Sequence, residues 1–212
     1  MGARAVVFDF NGTLSQDEPI LCEIFMELFA EQGRPLSAQE YFDELAGLSD
    51  PEIVRTWLGA DHPAVNEVIA ERIRLYREAV ADGSTVPEEV REAVRYAAAR
   101  VPVGIVSGAA RSEIEPVLAR ASIVEAVSLV VAAEDVDRGK PAPDGYERAR
   151  QLLDLEGQEI VAIEDTEAGV ASAKAAGLRC VAVLGTLSPA RLLLAEEIVE
   201  RVDVPLMERL LA

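Results

Sequence analysis

Residues that could do chemistry on a phosphate group stand where three apolar runs of this 212-residue chain end. Asp9 follows "AVVF", Ser107 follows "VGIV", and Glu164 and Asp165 follow "IVAI", while Lys140 lies in the segment "DRGKPAPDG". Carboxylate oxygens are ligands that Mg²⁺ prefers, and a serine hydroxyl can donate a hydrogen bond to a phosphoryl oxygen. Lysine supplies a compact positive charge, and a carboxylate facing a phosphate can act as a nucleophile.

The elements that must position these residues are predicted from hydrophobic patterning. Short apolar runs, nearly continuous in hydrophobicity as strands buried on both faces are, predict β-strands at 3–10, 101–107, 127–133, 159–165 and 179–185. Helical patterns separate the last four, which predicts an α/β fold with a Rossmann-like parallel sheet of about five strands. One helix, "TEAGVASAKAAG", has Thr166 to cap its start and Gly177 to end it. Because ligands bind outside the carboxyl ends of such strands, we expect the reactive groups to converge on one crevice.

The segment between the first and second strands is too long for a single crossover connection. Residues 16–82 lack a good strand pattern and contain several amphipathic helical patterns, among them "PILCEIFMELFAEQG". We therefore predict two units. A Rossmann-like core is formed by residues 1–15 and 83–212, and a helical cap, inserted into it, is formed by residues 16–82.

Composition limits the partners that the chain can have. The formal net charge is −18, and aromatic residues make up 5% of the chain, without a basic patch or an aromatic platform. We therefore expect no nucleic-acid partner and no membrane partner. A cytoplasmic location is expected because no signal-like segment opens the chain and no apolar run could span a bilayer. Cys22 and Cys180 are expected to be buried thiols. The sequence leaves open a monomer or a small homo-oligomer.

Four motifs in chain order resemble those of the haloacid dehalogenase-like (HAD) hydrolase superfamily. They are "DFNGT", "IVSG", "RGKPAPDGY" and "IEDTEAGVASAKAAG". Each motif is weak alone, but all four stand at predicted strand ends or in the loops beyond them. The likeness covers the whole chain and is closest to the phosphatase and phosphomutase branch, whose helical cap follows the first motif. The resemblance implies Mg²⁺-dependent hydrolysis of a small phosphorylated metabolite through an aspartyl-phosphate.

The resemblance also implies a role for each motif residue. Asp9 would be the nucleophile and a direct Mg²⁺ ligand, and Asp165 a second direct ligand. Glu164 would hold metal-bound water, and the backbone carbonyl of Asn11 would be the third protein ligand. The catalytic set implied in this way is Asp9, Asn11, Ser107 and Lys140, and the phosphate-binding set is Ser107, Gly108, Lys140, Gly12 and Thr13.

Asn11 departs from the family's pattern. The family's phosphatases have an Asp there, which protonates the leaving oxygen and then activates water. An amide cannot transfer a proton in this way, and general acid–base assistance is worth ~10²–10⁴-fold in rate. Four explanations stay open. In the first, the substrate has a good leaving group that needs little protonation. In the second, another carboxyl group transfers the proton, with Asp17 and Glu18 the nearest candidates. In the third, the protein is a phosphate-ester binding or regulatory protein with little activity; in the fourth, deamidation of Asn11 in the Asn-Gly pair restores an acid, or the asparagine is an engineered replacement of an aspartate.

A third possible function, after a phosphatase and a phosphate-ester binding protein, is a phosphomutase of the β-phosphoglucomutase type. Two further departures from the family's pattern disfavour it. The family's mutases generally have Arg after a cap "Gly-x-Ser", whereas "AGLSDP" has Asp50 at that place and Ala46 where a basic residue often lies. A bisphosphate is therefore expected to meet a negative charge at Asp50. The histidine often found after "Glu-Pro" is also absent, because Ile20 and Leu21 follow Pro19.

Overall fold

The computed structural model describes residues 2–212, which form one parallel sheet of six strands in the order β3-β2-β1-β4-β5-β6. The α/β prediction is confirmed, but the strand number of about five is corrected to six. The extra strand is an edge strand of three half-buried residues, too short to stand out in the sequence. The strands are β1 (Ala5–Phe8), β2 (Val103–Val106), β3 (Leu129–Val131), β4 (Ile160–Glu164), β5 (Arg179–Val183) and β6 (Glu197–Val199).

Strand β1 lies at the centre of the sheet and is fully buried. Its side chains alternate between two apolar cores, Val6 and Phe8 on one face and Ala5 and Val7 on the other. Phe8 is in register with Ile105 of β2 and with Ile163 of β4. The residues that follow these three strands are therefore brought to the same edge of the sheet.

Helices cover both faces of the sheet. Side chains of α5 (Glu88–Ala98), α6 (Arg111–Arg120) and α9 (Val204–Leu211) belong to one apolar core, and those of α7 (Asp144–Leu153) and α8 (Glu167–Ala175) belong to the other. The predicted cap of α8 is confirmed, because the Thr166 Oγ1 accepts a hydrogen bond from the Gly169 N–H at 3.1 Å. Over residues 2–212, no helix has both the length and the apolar character that crossing a bilayer requires.

Residues 16–82, all of which are described, contain helices and no strand. The helices are α1 (Glu18–Glu31), the short α2 (Ala38–Glu40) that continues into a π-helical turn at Tyr41–Leu45, α3 (Asp50–Leu58) and α4 (Val65–Ala79). Stacked rings hold this segment together, with centroids 6.1 Å apart for Phe25 and Tyr41 and 6.3 Å apart for Phe29 and Trp57. Its division from the core at residues 16 and 83 stays a prediction.

Candidate active site

Three carboxylates meet at the carboxyl edge of the central strands. One oxygen of each of Asp9, Glu164 and Asp165 lies within 4.8 Å of the others. Asp9 follows β1 closely, and Glu164 ends the neighbouring strand β4, so the parallel register places them side by side. All three are buried, and burial raises the pKa of Asp9 and of Asp165.

Lys140 lies among these carboxylates. Its Nζ donates a hydrogen bond to Asp9 Oδ1 and to the Val106 carbonyl, and it lies 2.6 Å from Glu164 Oε1. The Tyr146 hydroxyl donates to the same Glu164 oxygen at 2.6 Å. Burial acts against the lysine charge, but Asp9 and Glu164 outweigh it and raise the pKa of Lys140. The lysine therefore stays protonated and favours the ionised form of Asp9.

Two hydroxyl groups fix the Asp165 carboxylate. Thr13 Oγ1 donates to Asp165 Oδ1 at 3.0 Å, and Thr186 Oγ1 donates to Asp165 Oδ2. Gly12, with a φ of 78°, passes so close that a Cβ there would collide with the Asp165 carboxylate. The structure therefore places Gly12 and Thr13 against Asp165, and they are not among the residues that line the cavity described below.

The residues present fit a divalent cation. Three buried carboxylates share one lysine, which leaves an excess of negative charge that a cation would neutralise. Glu164 Oε2 is buried and has no hydrogen-bond partner among the described residues. It lies so close to Gly169 at the start of α8 that a Cβ there would collide with it. A set of oxygen donors is the chemistry that Mg²⁺ prefers.

A cavity of about 80 Å³ opens beside Asp9. The sheet side of the cavity is lined by Ser107, Gly108 and Lys140. The Ser107 Oγ accepts a hydrogen bond from the Ala109 N–H at 3.0 Å. The space beside Gly108 is open, because no atom lies within 4 Å of the position that a Cβ would occupy there. The helical segment closes the opposite side of the cavity with Leu21, Phe25, Tyr41, Leu48 and Ile53, among others. The cavity is smaller than the ~300–1,000 Å³ of typical ligand pockets, so it matches a phosphoryl group rather than a whole metabolite.

The Asn11 side chain is held by residues outside the cavity. Its Nδ2 donates to Asp17 Oδ2 at 3.0 Å and to the Tyr76 hydroxyl at 3.1 Å, and that hydroxyl donates to Asp17 Oδ2 at 2.5 Å. The Gly12 N–H donates to Asp17 Oδ1 at 3.2 Å. Both hydrogens of the Asn11 amide are thereby engaged, so the carboxamide oxygen is the free polar atom of this side chain, which lines the cavity.

Arg72 of α4 is a cavity residue that the sequence analysis missed. It is buried, lies 3.0 Å from Asp50 Oδ1 through Nη2, and pairs with Glu113 of α6 through Nη1. The Asp50 carboxylate, predicted to present a negative charge to a bisphosphate, is thus paired with a cation that it shares with Glu113. A signal was available, because Arg72 follows Val68 and precedes Tyr76 at four-residue spacing on the buried face of α4.

Comparison with known proteins agrees with this fold and these motifs. The family model for "Haloacid dehalogenase-like hydrolase" matches residues 6–183. The chain belongs to the haloacid dehalogenase-like hydrolase family, and the resemblance noted from its motifs is confirmed.

Named relatives are found along nearly the whole chain. It is 28% identical over 205 residues to validoxylamine A 7'-phosphate phosphatase of Streptomyces hygroscopicus subsp. limoneus, with 86% of each chain covered. It is 31% identical over 193 residues to protein CbbY of Rhodobacter capsulatus, with 85% of each chain covered. A solved structure of a CbbY variant from Rhodobacter sphaeroides, in complex with xylulose-(1,5)bisphosphate, has a TM-score of 0.82 at 24% identity, covering 94% of this chain and 95% of that one, and this likeness shows the shared fold.

Proposed function

We propose that this protein is a Mg²⁺-dependent phosphatase that hydrolyses a small phosphorylated metabolite through an aspartyl-phosphate on Asp9. The observation that carries the proposal is the meeting of Asp9, Glu164 and Asp165 beside Lys140, at a cavity of phosphoryl size. A relative named as the phosphatase of a phosphorylated metabolite supports the same class of reaction.

The proposed reaction assigns one task to each group. The Asp9 carboxylate attacks phosphorus, the bond to the ester oxygen breaks, and the alcohol leaves; water then attacks the aspartyl-phosphate, releasing inorganic phosphate and regenerating Asp9. Ser107 and Lys140 hold the phosphoryl oxygens, with the open backbone at Gly108 beside them. Mg²⁺ would be held by Asp9, Asp165 and the backbone carbonyl of Asn11, and Glu164 would act through a water molecule. The cation would offset the charge of the phosphoryl group.

Residues 16–82 act in this proposal as a cap over the site. They supply one wall of the cavity, which in the observed conformation is too small to admit a metabolite. The cap must therefore open for substrate entry and close to exclude water during the reaction. The cytoplasmic location and the monomeric or small homo-oligomeric state stay predictions.

A panel of phosphate monoesters, assayed with Mg²⁺ and with a chelator, tests the proposal. We expect release of phosphate that requires the cation, at a rate lowered at least ~10³-fold in Asp9→Ala. The exposed Asp61→Ala is the matched control and should keep the wild-type rate. Phosphorylated Asp9 should be detected by mass spectrometry after rapid acid quenching. If no ester is hydrolysed and Asp9 is never phosphorylated, the enzymatic proposal is abandoned.

A phosphate-ester binding or regulatory role is the second candidate. The Asn11 amide, with both hydrogens engaged, favours it, because this position offers no proton transfer. Calorimetry showing tight Mg²⁺-dependent binding of a phosphate ester, without product formation, would support this role. A phosphomutase remains disfavoured, because Asp50 and Glu113 together already neutralise Arg72.

A further inference from the structure

We propose that Glu18 is the general acid and base of this site and supplies the proton transfer that Asn11 cannot. The inference rests on the proposed phosphatase function and adds to it a catalytic residue. Glu18 is the first residue of α1, on the wall of the cavity that faces the sheet.

The position of Glu18 distinguishes it from the other acids in the cavity. Its carboxylate is buried, lines the same cavity as Asp9, and accepts a hydrogen bond from the Tyr41 hydroxyl at 2.9 Å on Oε1, which leaves Oε2 for a ligand. Asp50 is paired with Arg72, and Asp165 is fixed by two threonine hydroxyls. Among the described residues that line the cavity, Glu18 is thus the carboxylate that has neither a cationic partner nor a place in the acidic cluster.

Asp17, the other neighbouring acid, is unsuitable for this role. It is completely buried, and its Oδ2 accepts hydrogen bonds from Asn11 Nδ2 and the Tyr76 hydroxyl while its Oδ1 accepts one from the Gly12 N–H. Burial raises the pKa of Asp17, and these donors offset part of that rise and occupy both oxygens. Asp17 is also not among the residues that line the cavity.

The proton affinity of Glu18 agrees with this role. Burial, with a further contribution from the Asp17 charge, raises the pKa of Glu18 to about 7. A group with that pKa is present in both protonation states near neutrality, as a residue that first gives and then takes a proton must be. The titratable and charged groups that interact with it are Asp17, Tyr41, Asp9, Arg72, Cys22 and Asp165.

The two proton transfers balance over the full reaction. When Asp9 attacks phosphorus and the ester bond breaks, protonated Glu18 gives its proton to the departing oxygen, and the product leaves as a neutral alcohol. Ionised Glu18 then takes a proton from water as the water oxygen attacks the aspartyl-phosphate. The bond from phosphorus to Asp9 breaks, phosphate is released, and Glu18 is protonated again.

Glu18→Gln tests the proposal, with Glu23→Gln on the exposed face of the same helix as the matched control. With the best alkyl phosphate of the panel, we expect kcat to fall ~10²–10⁴-fold in Glu18→Gln and to stay unchanged in Glu23→Gln. With para-nitrophenyl phosphate, whose leaving group needs no proton, Glu18→Gln should still release one equivalent of nitrophenol. Phosphorylated Asp9 should then accumulate, because the attacking water lacks a base. Glu18→Asp should recover part of the lost rate.

A second pair of measurements decides the case if Glu18→Gln folds poorly. Asn11→Asp combined with Glu18→Asp should exceed Glu18→Asp alone at least tenfold in kcat, because it adds an acid. In the wild type, the rate of Asp9 phosphorylation should fall above about pH 7 with the alkyl ester and not with para-nitrophenyl phosphate. A folded Glu18→Gln with wild-type kcat, or equal pH profiles for the two esters, overturns the role of Glu18 while leaving the phosphatase proposal intact. If the wild-type protein turns over no phosphate ester, both the role of Glu18 and the phosphatase proposal are overturned.

Discussion

The Asp165 carboxylate shows how single side chains support this site from a distance in the sequence. Thr13 reaches it from the turn after β1, and Thr186 reaches it from the loop after β5. Together they fix the orientation of both carboxylate oxygens. Groups that orient a metal ligand commonly change metal affinity about 10–100-fold when they are removed.

Thr186→Val should therefore weaken Mg²⁺ binding. The variant keeps the shape of the side chain and loses the donor to Asp165 Oδ2, so we expect the apparent Mg²⁺ dissociation constant to rise ~10–100-fold. At saturating Mg²⁺, kcat should change little. The measurements are initial rates against Mg²⁺ concentration and direct calorimetric titration with the metal. Thr56→Val, at an exposed helix position, is the control. An unchanged titration for Thr186→Val would show that the hydroxyl does not support the ligand.

Glu18 should also make stability depend on pH. Its pKa is about 7 in the folded protein against an ordinary 4.5, so the folded state binds this proton more tightly than the unfolded chain does. The protonated carboxyl contributes fully below pH 4.5, and this contribution is lost as the pH rises through about 7.

Glu18→Gln does not titrate, so its free energy of unfolding relative to wild type should rise with pH. From the size of the pKa shift, the gain is up to ~3 kcal/mol between about pH 5 and pH 8. Urea unfolding in the presence of chelator, with Glu23→Gln as the control, measures it. If the free energies of unfolding of wild type and Glu18→Gln change in parallel across this pH range, the raised pKa of Glu18 is contradicted.

Residues at strand ends could be predicted from the sequence, and residues that approach from elsewhere could not. Asp9 and Asp165 follow apolar runs, and parallel pairing necessarily gathers such positions. Thr186, Tyr146 and Arg72 reach the site from a loop and two helices, where nothing in the local sequence specifies the contact. For Arg72, the four-residue spacing from Val68 and Tyr76 indicated a buried position on α4, but not which residues it contacts.

At the scale of elements, the central strands and long helices were predictable, and the edge of the sheet was not. Strand β1 is apolar throughout because it is buried on both faces. Strand β6 is half-exposed and three residues long, so its pattern resembles that of a loop. The close packing of the helical segment on the core was equally invisible, because it depends on single residues such as Gly47.

Gly47 lies in the loop before α3 and touches the start of the core helix α8. It has a φ of 89°, and a Cβ there would lie 2.8 Å from the Thr166 Cβ. Gly47→Ala should therefore push the helical segment away from the core and raise KM about tenfold, with a smaller effect on kcat. Gly33→Ala is the matched control, because Gly33 also has a positive φ, 74°, but has no atom within 4 Å of the added Cβ.

Backbone strain alone should destabilise both glycine variants by ~1–2 kcal/mol. Kinetics and thermal unfolding of the two proteins, measured side by side, separate strain from obstruction. Equal KM values for Gly47→Ala and Gly33→Ala would mean that closure of the helical segment over the core does not bring Gly47 against Thr166 during turnover.

At the scale of the whole molecule, the net charge of −18 opposes the approach of an anionic substrate. Salt screens this repulsion, so kcat/KM for a dianionic ester should rise about two- to tenfold between low and physiological ionic strength at fixed Mg²⁺. Phosphorylethanolamine, with its compensating ammonium group, should respond less. A fall of kcat/KM with salt would indicate that local positive potential controls the encounter instead.

The small volume beside Asp9 has a consequence for the speed of the catalytic cycle. Because about 80 Å³ holds a phosphoryl group and not a whole metabolite, substrate entry and product release both require α1 and α4 to move away from the sheet, against the friction of the surrounding solvent. Glycerol or sucrose should then slow steady-state turnover in proportion to microviscosity, whereas the initial phosphorylation of Asp9 in bound complexes should not respond. A polymeric crowder that raises only bulk viscosity is the control and should leave both rates unchanged.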